Sequence, residues 1–293
     1  MPRIAGYQEA HLLYTPKSRR TRFPDAQFPF ILHAAINIAR AFATVHDAGR
    51  VIGDVNHANL MISKDAMVKL IDCDSFEITD GRSYFPCLVG VPTYTPPELQ
   101  GKSFAGVRRT AQHDAFGLAV LLFHMLFLGR HPFSGIFRQG KGDKTVEDAI
   151  RELRFGYSAD TALTEMDQLP WIPRLTAFPP DIGGLFLRAF GKEGVSGRRP
   201  TAHEWIPALE SLSRNLKRCP ANTSHYYYQA LGSCPWCTSE KGSGIPMFGI
   251  TVMVIRTGEF DLVAIWTQIE AVRPDTSMAP QFGMPWKSSP AMR

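Results

Sequence analysis

The stretch from residue 114 to residue 128 constrains the fold most, because nearly every residue in it is apolar. A helix on the surface of a domain is apolar along one face, whereas a helix that is apolar all round is buried in a core. The chain has 293 residues, 44% of them hydrophobic, which is enough for one large domain or two small ones. We therefore predict that residues 114–128 form a helix that is the buried axis of a domain.

Further helices are predicted on both sides of this axis. From residue 28 to residue 46 apolar side chains recur at helical spacing, and Gly49 follows as a stop signal. Other helices are expected at about residues 144–153, 181–190 and 202–214.

Between these helices the sequence predicts a hairpin and long loops. Two short apolar runs, residues 60–62 and 67–71, flank a polar turn and predict a β-hairpin. Residues 73–111 are rich in turn-forming residues and predict a long ordered loop or a mobile segment. Residues 1–27 lack periodicity and hold three prolines, so a loop is predicted there as well.

Polar side chains at one edge of the predicted hairpin have the spacing that phosphoryl transfer needs. Asp54 and Asn59 lie five residues apart just before the first strand, and Asp72 directly follows the second strand. In such a site one carboxylate accepts or orients the attacking hydroxyl, while an amide and a second carboxylate hold Mg²⁺ against the phosphates. A hairpin fixes these groups on one rigid edge.

Five motifs in the same order resemble the protein kinases. Asp54 and Asn59 match the aspartate and asparagine of the catalytic loop, and Asp72 matches the aspartate of D-F-G. Residues 90–98 resemble the end of a kinase activation segment, closing in P-P-E, and residues 113–117 resemble the start of the buried kinase helix. The Asp114 of that helix would brace the catalytic loop, and Arg199 of a late R-P-T element would pair with Glu98.

The resemblance implies an α+β fold that is mainly α-helical. Residues 28–214 would form the C-terminal lobe of a protein kinase, and residues 1–27 would hold the hinge between lobes. The glycine-rich loop and the strand lysine that grip phosphates in kinases are expected upstream of residue 1.

The sequence departs from the kinase pattern at several positions of the site. Ile52 and Gly53 stand where kinases carry His and Arg, Asn56 stands for the usual Lys, and D-F-G is replaced by Asp72-Cys73-Asp74. These variants resemble a group of bacterial kinase-like proteins that carry a Cys/His cluster behind the kinase domain.

Two functions follow from the resemblance and stay open. In the first, the protein binds ATP and Mg²⁺ and phosphorylates a Ser or Thr hydroxyl of a protein; Asp54 is the base, and Asn59 and Asp72 are the metal ligands. Asn56 could orient a phosphate, and Asp74 is either a second metal ligand or a solvated turn carboxylate. In the second, the chain is a catalytically inert pseudokinase or adaptor, whose partner is a protein or, with weaker support, a nucleic acid.

A second site is predicted near the C-terminus from the crowding of cysteines. Cys234 and Cys237 form a C-x-x-C knuckle, and Cys219 with His225 can complete a tetrahedral set. We predict a structural Zn²⁺ in a small ribbon-like or knuckle-like module over residues 215–240, which would explain how so short a segment folds. A redox pair at Cys234 and Cys237 is one alternative, and free core cysteines are the other.

Composition adds limits on location. The net charge of +5 suits an acidic or nucleic-acid partner without requiring one, and the dense basic cluster at residues 17–22 is expected in a solvated loop. No uninterrupted apolar run reaches the length of a membrane span, and no secretory signal is evident, so a cytoplasmic location is expected. Residues 241–273 are predicted to form a possible β-hairpin that begins with a flexible joint at residues 241–244, and residues 274–293 are predicted to be disordered.

Overall fold

The computed structural model describes residues 4–138, 145–249 and 266 of the chain. The predicted axis is confirmed as helix α4, Ala111–Leu126, whose residues from Asp114 onward are all buried. Thr110 and His113 cap its start by exchanging side-chain and backbone hydrogen bonds. The helix packs against α3, Phe28–Asp47, and α7, Pro180–Phe190, and α8, Ala202–Arg214, packs along α3. The mainly helical lobe predicted from the sequence is therefore built around α4.

The predicted hairpin is confirmed, and it belongs to a three-stranded antiparallel sheet. Strands β2, Leu60–Ser63, and β3, Val68–Leu70, form the hairpin, and β1, Tyr7–Glu9, pairs with the outer edge of β2. The prediction of a loop over residues 1–27 is therefore wrong for residues 7–22, which form a strand and two helices. After β1 the chain forms helices α1, Ala10–Tyr14, and α2, Pro16–Arg22. The buried side chains of Leu13 and Tyr14 join the main core.

The basic cluster at residues 17–22 lies on α2 rather than in a loop. Its Arg19 is buried, and the guanidinium donates hydrogen bonds to the carbonyl oxygens of Leu13 and Tyr14, at 2.8 and 3.1 Å, and to that of Met247. Loss of solvent and the nearby Arg20 lower the pKa of Arg19 to about 9. Arg19 thus ties the first helices to the last described residues of the chain.

The remaining elements are short. The loop between residues 73 and 110 contains a small hairpin, and the chain between α4 and α7 holds another strand pair with two short helices. Their bounds are β4 Ile78–Thr79, β5 Tyr84–Phe85, β6 Ile136–Phe137, α5 Val146–Arg151, α6 Thr161–Thr164 and β7 Met166–Asp167. Short 3₁₀ turns occupy His57–Asn59, Cys73–Ser75, Pro92–Tyr94, Pro97–Leu99 and Leu175–Ala177.

The C-terminal Cys/His segment is a hairpin followed by a helix. Strands β8, Leu216–Arg218, and β9, Tyr226–Tyr228, are antiparallel, and helix α9 spans Pro235–Ser243. The flexible joint predicted at residues 241–244 is wrong, because α9 continues to Ser243 and Gly244 ends it in the left-handed conformation. Of the possible hairpin over residues 241–273, most residues beyond 249 lie outside the described part of the chain, as does the tail of residues 274–293.

Helix α3 is the one described helix with the length and composition of a membrane span. More than half of its apolar window, 56%, is buried inside the lobe, where it contacts α4 and α8. That burial is what a core helix requires.

We expect the lobe to lose stability in mild acid because two enclosed histidines are held neutral. Loss of solvent lowers the pKa of His131 to about 4, against a weaker opposing hydrogen bond to the Thr93 carbonyl, and burial also lowers the pKa of His124 well below its ordinary value. Unfolded histidine titrates near pH 6.5, so the unfolded chain binds more protons between about pH 6.5 and 4. The free energy of unfolding should therefore decrease as the pH is lowered from about 6.5 to 4. Denaturation measured at several pH values should show a smaller decrease in the free energy of unfolding for His131→Gln than for the wild type. His203→Gln, which replaces an exposed histidine, should show the same decrease as the wild type. An equal dependence on pH in all three proteins would contradict the account.

Candidate active site and metal centre

The carboxylate of Asp54 lies at the edge of the β2–β3 hairpin, where a short turn holds it. The side-chain amide of Asn59 donates to the backbone oxygen of Asp54 at 3.0 Å and to its Oδ2 at 3.1 Å. The other carboxylate oxygen, Oδ1, is buried and has no hydrogen-bond partner among the described residues. Among the described residues, one oxygen of Asp54 is therefore held by a hydrogen bond, and the other is supplied with none.

Asp114 at the start of α4 fixes the loop that carries Asp54, as the sequence predicted. Its two carboxylate oxygens accept hydrogen bonds from the backbone N–H groups of Ile52 and Gly53, at 2.7 and 2.9 Å. The His46 ring lies 3.0 Å from Oδ2. The buried helix thus sets the backbone just before Asp54, even though Ile52 and Gly53 replace the usual kinase residues.

Gly53 is required by its conformation and by a close neighbour. Its φ is +75°, and a Cβ at this position would lie 2.5 Å from the Cys87 Sγ. Only glycine adopts such a backbone without strain, and no side chain fits beside Cys87. The replacement of arginine by Gly53 is therefore built into the packing of this loop.

Arg109 reaches the same loop from the segment before α4. Its guanidinium is buried and donates to the Gly53 carbonyl at 2.7 Å, while its backbone N–H donates to the buried Glu77 carboxylate at 2.8 Å. The guanidinium also lies over the Phe104 ring, 4.5 Å from its centroid. Sequence reasoning missed both Arg109 and Glu77, because charged residues in a turn-rich segment are mostly solvated and no motif marks them.

Asp72 follows strand β3 and faces the same edge of the hairpin. Its backbone is left-handed, with φ of 59°, a conformation that aspartate tolerates better than most residues. The Ile71 N–H donates to the Asn59 carbonyl at 3.0 Å, which ties the two loop ends together. A hydrogen bond that protonated Asp72 donates to the Asp74 carboxylate, together with the like charge of Asp74, raises the pKa of Asp72, with a smaller contribution from the charge of Asp54.

The raised pKa of Asp72 has a simple origin. The carboxylates of Asp54, Asp72 and Asp74 lie close enough to repel one another, so negative charge accumulates at this edge. Three carboxylates and the amide oxygen of Asn59 are hard oxygen donors of the kind that Mg²⁺ prefers. The donor set therefore fits a divalent cation.

Asn56 has a different position from the one expected of a phosphate-binding residue. Its side chain is only 5% exposed, and its Oδ1 accepts from the N–H groups of Ala58 and Asn59, at 2.9 and 3.2 Å. Its amide N–H₂ donates to the Asp54 carbonyl at 3.3 Å. Asn56 caps the turn that positions Asn59; contact with a phosphate stays a prediction.

The ion pair predicted between Glu98 and Arg199 is confirmed. Both guanidinium nitrogens donate to the two Glu98 oxygens at 2.7 Å, in a bidentate arrangement. The Arg199 side chain is 1% exposed and that of Glu98 27%. Burial works against the charge on Glu98, but the hydrogen bonds and charge of Arg199 outweigh it, so the pKa of Glu98 is lowered.

The four metal ligands predicted near the C-terminus come together in the structure. The ligand atoms of Cys219, His225, Cys234 and Cys237 all lie within 4.8 Å of one another. Cys219 Sγ is 3.7 Å from Cys237 Sγ, and His225 Nδ1 is 3.6 and 3.4 Å from the sulfurs of Cys234 and Cys237. Ligands about 2.3 Å from a tetrahedral ion would be separated by roughly these distances. The cluster therefore has the geometry to hold a metal ion.

Neighbouring groups orient these ligands. The His225 Nε2 lies 3.0 Å from the Glu240 carboxylate, which leaves Nδ1 free to bind a metal, a common arrangement in metal sites. Burial raises the pKa of the Cys219 thiol, but hydrogen bonds from the backbone N–H groups of Asn222 and Ala221 outweigh it and lower that pKa. Cys73 and Cys87 lie outside the cluster; Cys87 is buried, whereas Cys73 is exposed.

The cluster is not a separate appendage of the lobe. The Trp236 ring, between the two cysteines of the knuckle, lies 5.0 Å from the Phe28 ring at the start of α3, and Phe248 packs on both. The sequence predicted a ribbon-like or knuckle-like module. In the described residues the segment is a β-hairpin followed by a helix, and it shares a hydrophobic core with α3.

The lobe combines an aspartate–asparagine turn before a hairpin, an aspartate after it and a buried helix that braces the turn, and this is the arrangement of a kinase-like C-terminal lobe. The protein kinase domain family matches residues 7–188, and the chain belongs to this family.

Relatives among known proteins agree with this assignment. The proteins named protein kinase YegI of Escherichia coli O157:H7 and of strain K12 are each 40% identical to the chain over 273 residues, 92% of its length. The chain spans 42% of the length of these relatives. A cAMP-dependent protein kinase, catalytic subunit-like, of Caenorhabditis elegans is 31% identical over 134 residues, which are 45% of this chain and 31% of that protein.

Proposed function

We propose that the chain forms the part of the catalytic site that the C-terminal lobe supplies in an ATP- and Mg²⁺-dependent kinase. This kinase would phosphorylate Ser or Thr hydroxyls of proteins. The observation that supports the proposal most strongly is that Asn59 donates a hydrogen bond to the Asp54 carboxylate at the edge of the hairpin where the charge of Asp54 also raises the pKa of Asp72. Asp114 holds this edge from the buried helix. The names of the Escherichia coli relatives support the same activity.

Each of these residues has a separate role in the proposed phosphoryl transfer. Asp54 is the base: the side-chain amide of Asn59 donates to its Oδ2 and so orients the carboxylate that accepts the proton of a substrate hydroxyl. The hydroxyl oxygen bonds to the γ-phosphorus as the bond to the β–γ bridging oxygen breaks, and ADP leaves. Asn59 and Asp72, with Asp74 beside them, would hold Mg²⁺, which when bound neutralises charge on the phosphates. Asn56 and Asp114 maintain the loop geometry on which this depends.

We further propose that the Cys219, His225, Cys234 and Cys237 cluster binds Zn²⁺. Three sulfurs and one imidazole are soft and intermediate donors that favour Zn²⁺ over Mg²⁺ or Ca²⁺. All four residues hold positions in secondary structure or at its ends, which suits a structural role better than a redox one.

Nucleotide binding separates the kinase from an inert adaptor. We expect Mg²⁺ with ATP to raise the melting temperature of a protein that carries residues 1–293 behind a glycine-rich loop and a strand lysine, because a ligand at 100 times its Kd stabilises the folded state by about 2.7 kcal/mol. Asp72→Asn should abolish the part of the shift that requires Mg²⁺, since asparagine keeps the left-handed backbone and lacks the charge. Asp65→Asn, in the exposed turn of the same hairpin, is the matched control and should behave as the wild type.

Two outcomes would count against the kinase. One is the absence of any shift with ATP in the presence or absence of Mg²⁺, and the other is an equal shift in wild type and Asp72→Asn. Either would favour the adaptor, whose partner is a protein or a nucleic acid.

A further inference from the structure

A large cavity lies at the start of helix α7, between the loop that leads into α6 and the end of strand β9. It encloses about 880 Å³. Its walls include three aromatic rings, those of Tyr157, Phe178 and Tyr228, together with Leu175 and Leu187. None of the residues proposed for phosphoryl transfer or metal binding is among the described residues that line it. The size and the mainly apolar walls are those of a small-molecule site.

Two adjacent glycines keep the cavity open along α7. Gly183 and Gly184 lie in the interior of this helix, where glycine is less stable than alanine. A Cβ on Gly184 would meet no atom within 4 Å, and one on Gly183 would meet only Leu175 at 3.9 Å. Packing and backbone conformation therefore do not demand glycine at either position. What the pair provides is space on the wall of the cavity.

The charges around the cavity favour an anion. Asp167 lines the wall, but Arg138 donates two hydrogen bonds to its carboxylate, at 2.7 and 2.6 Å, and so neutralises it. Arg174 also lines the cavity, is exposed, and has no carboxylate partner in residues 4–138 or 145–249. The charge left over at this site is therefore positive and is carried by a side chain that is free to turn toward a ligand.

We propose that this cavity binds a small amphiphilic anion. Its flat apolar body lies among the rings of Tyr157, Phe178 and Tyr228, and its single carboxylate, sulfonate or phosphate is held by Arg174. The aromatic walls favour a flat aromatic body over a peptide, since an edge-to-face or offset ring contact adds to the burial of apolar area. The end of β9 supplies one wall, so the metal-binding segment takes part in building the site.

The test uses two probes that differ in one charged group. Anilinonaphthalene sulfonate has an aromatic body and a sulfonate, and N-phenylnaphthylamine has nearly the same body without the charge. Fluorescence titration of the full metal-loaded chain should show one saturable site for each probe. Arg174→Gln should weaken the sulfonate probe about tenfold or more, as expected for one lost charge-assisted hydrogen bond, and leave the uncharged probe nearly unchanged.

Gly184→Leu separates binding from folding. Leucine is a better helix former than glycine and would extend into open space, so the melting temperature should stay the same or rise while both probes lose the site. Arg214→Gln and Arg214→Leu, on the exposed end of α8, are controls for a lost charge and an added leucine, and both should bind the probes as the wild type does. Unchanged binding in Gly184→Leu, equal loss of both probes in Arg174→Gln, or the absence of a saturable site would overturn the proposal.

Discussion

Cys234→Ser is expected to lower both the zinc content and the stability of the whole lobe. Protein purified without added zinc should hold about one Zn²⁺ per chain, and the variant should hold much less, because three ligands bind far more weakly than a complete tetrahedral set. Structural zinc contributes apparent free energies of about 10–16 kcal/mol in small zinc-dependent segments. Part of that stabilisation should be lost on substitution or chelation.

The loss should spread beyond the cluster. Trp236 packs against Phe28 at the start of α3, and the Arg19 guanidinium binds the Met247 carbonyl after α9. We therefore expect one unfolding transition at a lower temperature rather than a separate early step. Cys73→Ser, at an exposed thiol outside the cluster, is the control and should keep its zinc and its melting temperature. A metal ratio near zero in the wild type, with stability unchanged by chelation, would refute the metal site.

Glu98→Ala is expected to have the largest effect on stability among single substitutions in the activation segment. It leaves the Arg199 guanidinium, 1% exposed, without its bidentate partner. Removing one member of a buried pair costs about 3–5 kcal/mol, and the partial exposure of Glu98 places the expected loss near the lower value. In a domain of this size about 3 kcal/mol corresponds to a fall in melting temperature of roughly 6–12 °C. Glu210→Ala, at the exposed pair with Arg40, should cost at most about 1 kcal/mol.

The difference between wild type and Glu98→Ala should also depend on pH. The folded pKa of Glu98 is lowered, so the pair contributes its full stabilisation above the unfolded value of about 4.3 and loses it as pH falls through the folded pKa. The two proteins should therefore converge in stability in strong acid. If Glu98→Ala and Glu210→Ala both had a similar, small effect on stability at neutral pH, the kinase motifs assigned to residues 90–98 and 198–201 would be contradicted.

The parts of the fold that sequence predicted well are those with strong periodicity or a spaced motif. Helix α4 could be predicted because it is apolar on all faces, and the ion pair of Glu98 with Arg199 because two motifs far apart imply one contact. The metal ligands could be grouped because C-x-x-C spacing is specific, although the helix that follows Cys234 carries no strong periodic signal.

The parts that sequence did not predict depend on tertiary contacts. Strand β1 forms because it pairs with β2. It is only three residues long, too short for its sequence to show an alternation of apolar and polar side chains. Arg19 looked like part of a solvated basic run, yet three backbone carbonyl groups compensate its burial. Arg109 and Glu77 brace the catalytic loop through contacts between segments 32 residues apart, for which a single sequence gives no sign.

Transfer of labelled phosphate from ATP to a protein acceptor tests the central claim most directly. The protein for this assay carries residues 1–293 behind a glycine-rich loop and a strand lysine, because clamping of the phosphates requires these groups as well as the lower half of the site. We predict Mg²⁺-dependent labelling of Ser or Thr that Asp54→Ala and Asp72→Ala abolish, while Asp65→Ala leaves it intact. Labelling that persists in Asp54→Ala and Asp72→Ala, or a protein that binds no nucleotide in this extended form, would contradict the assignment of Asp54, Asn59 and Asp72.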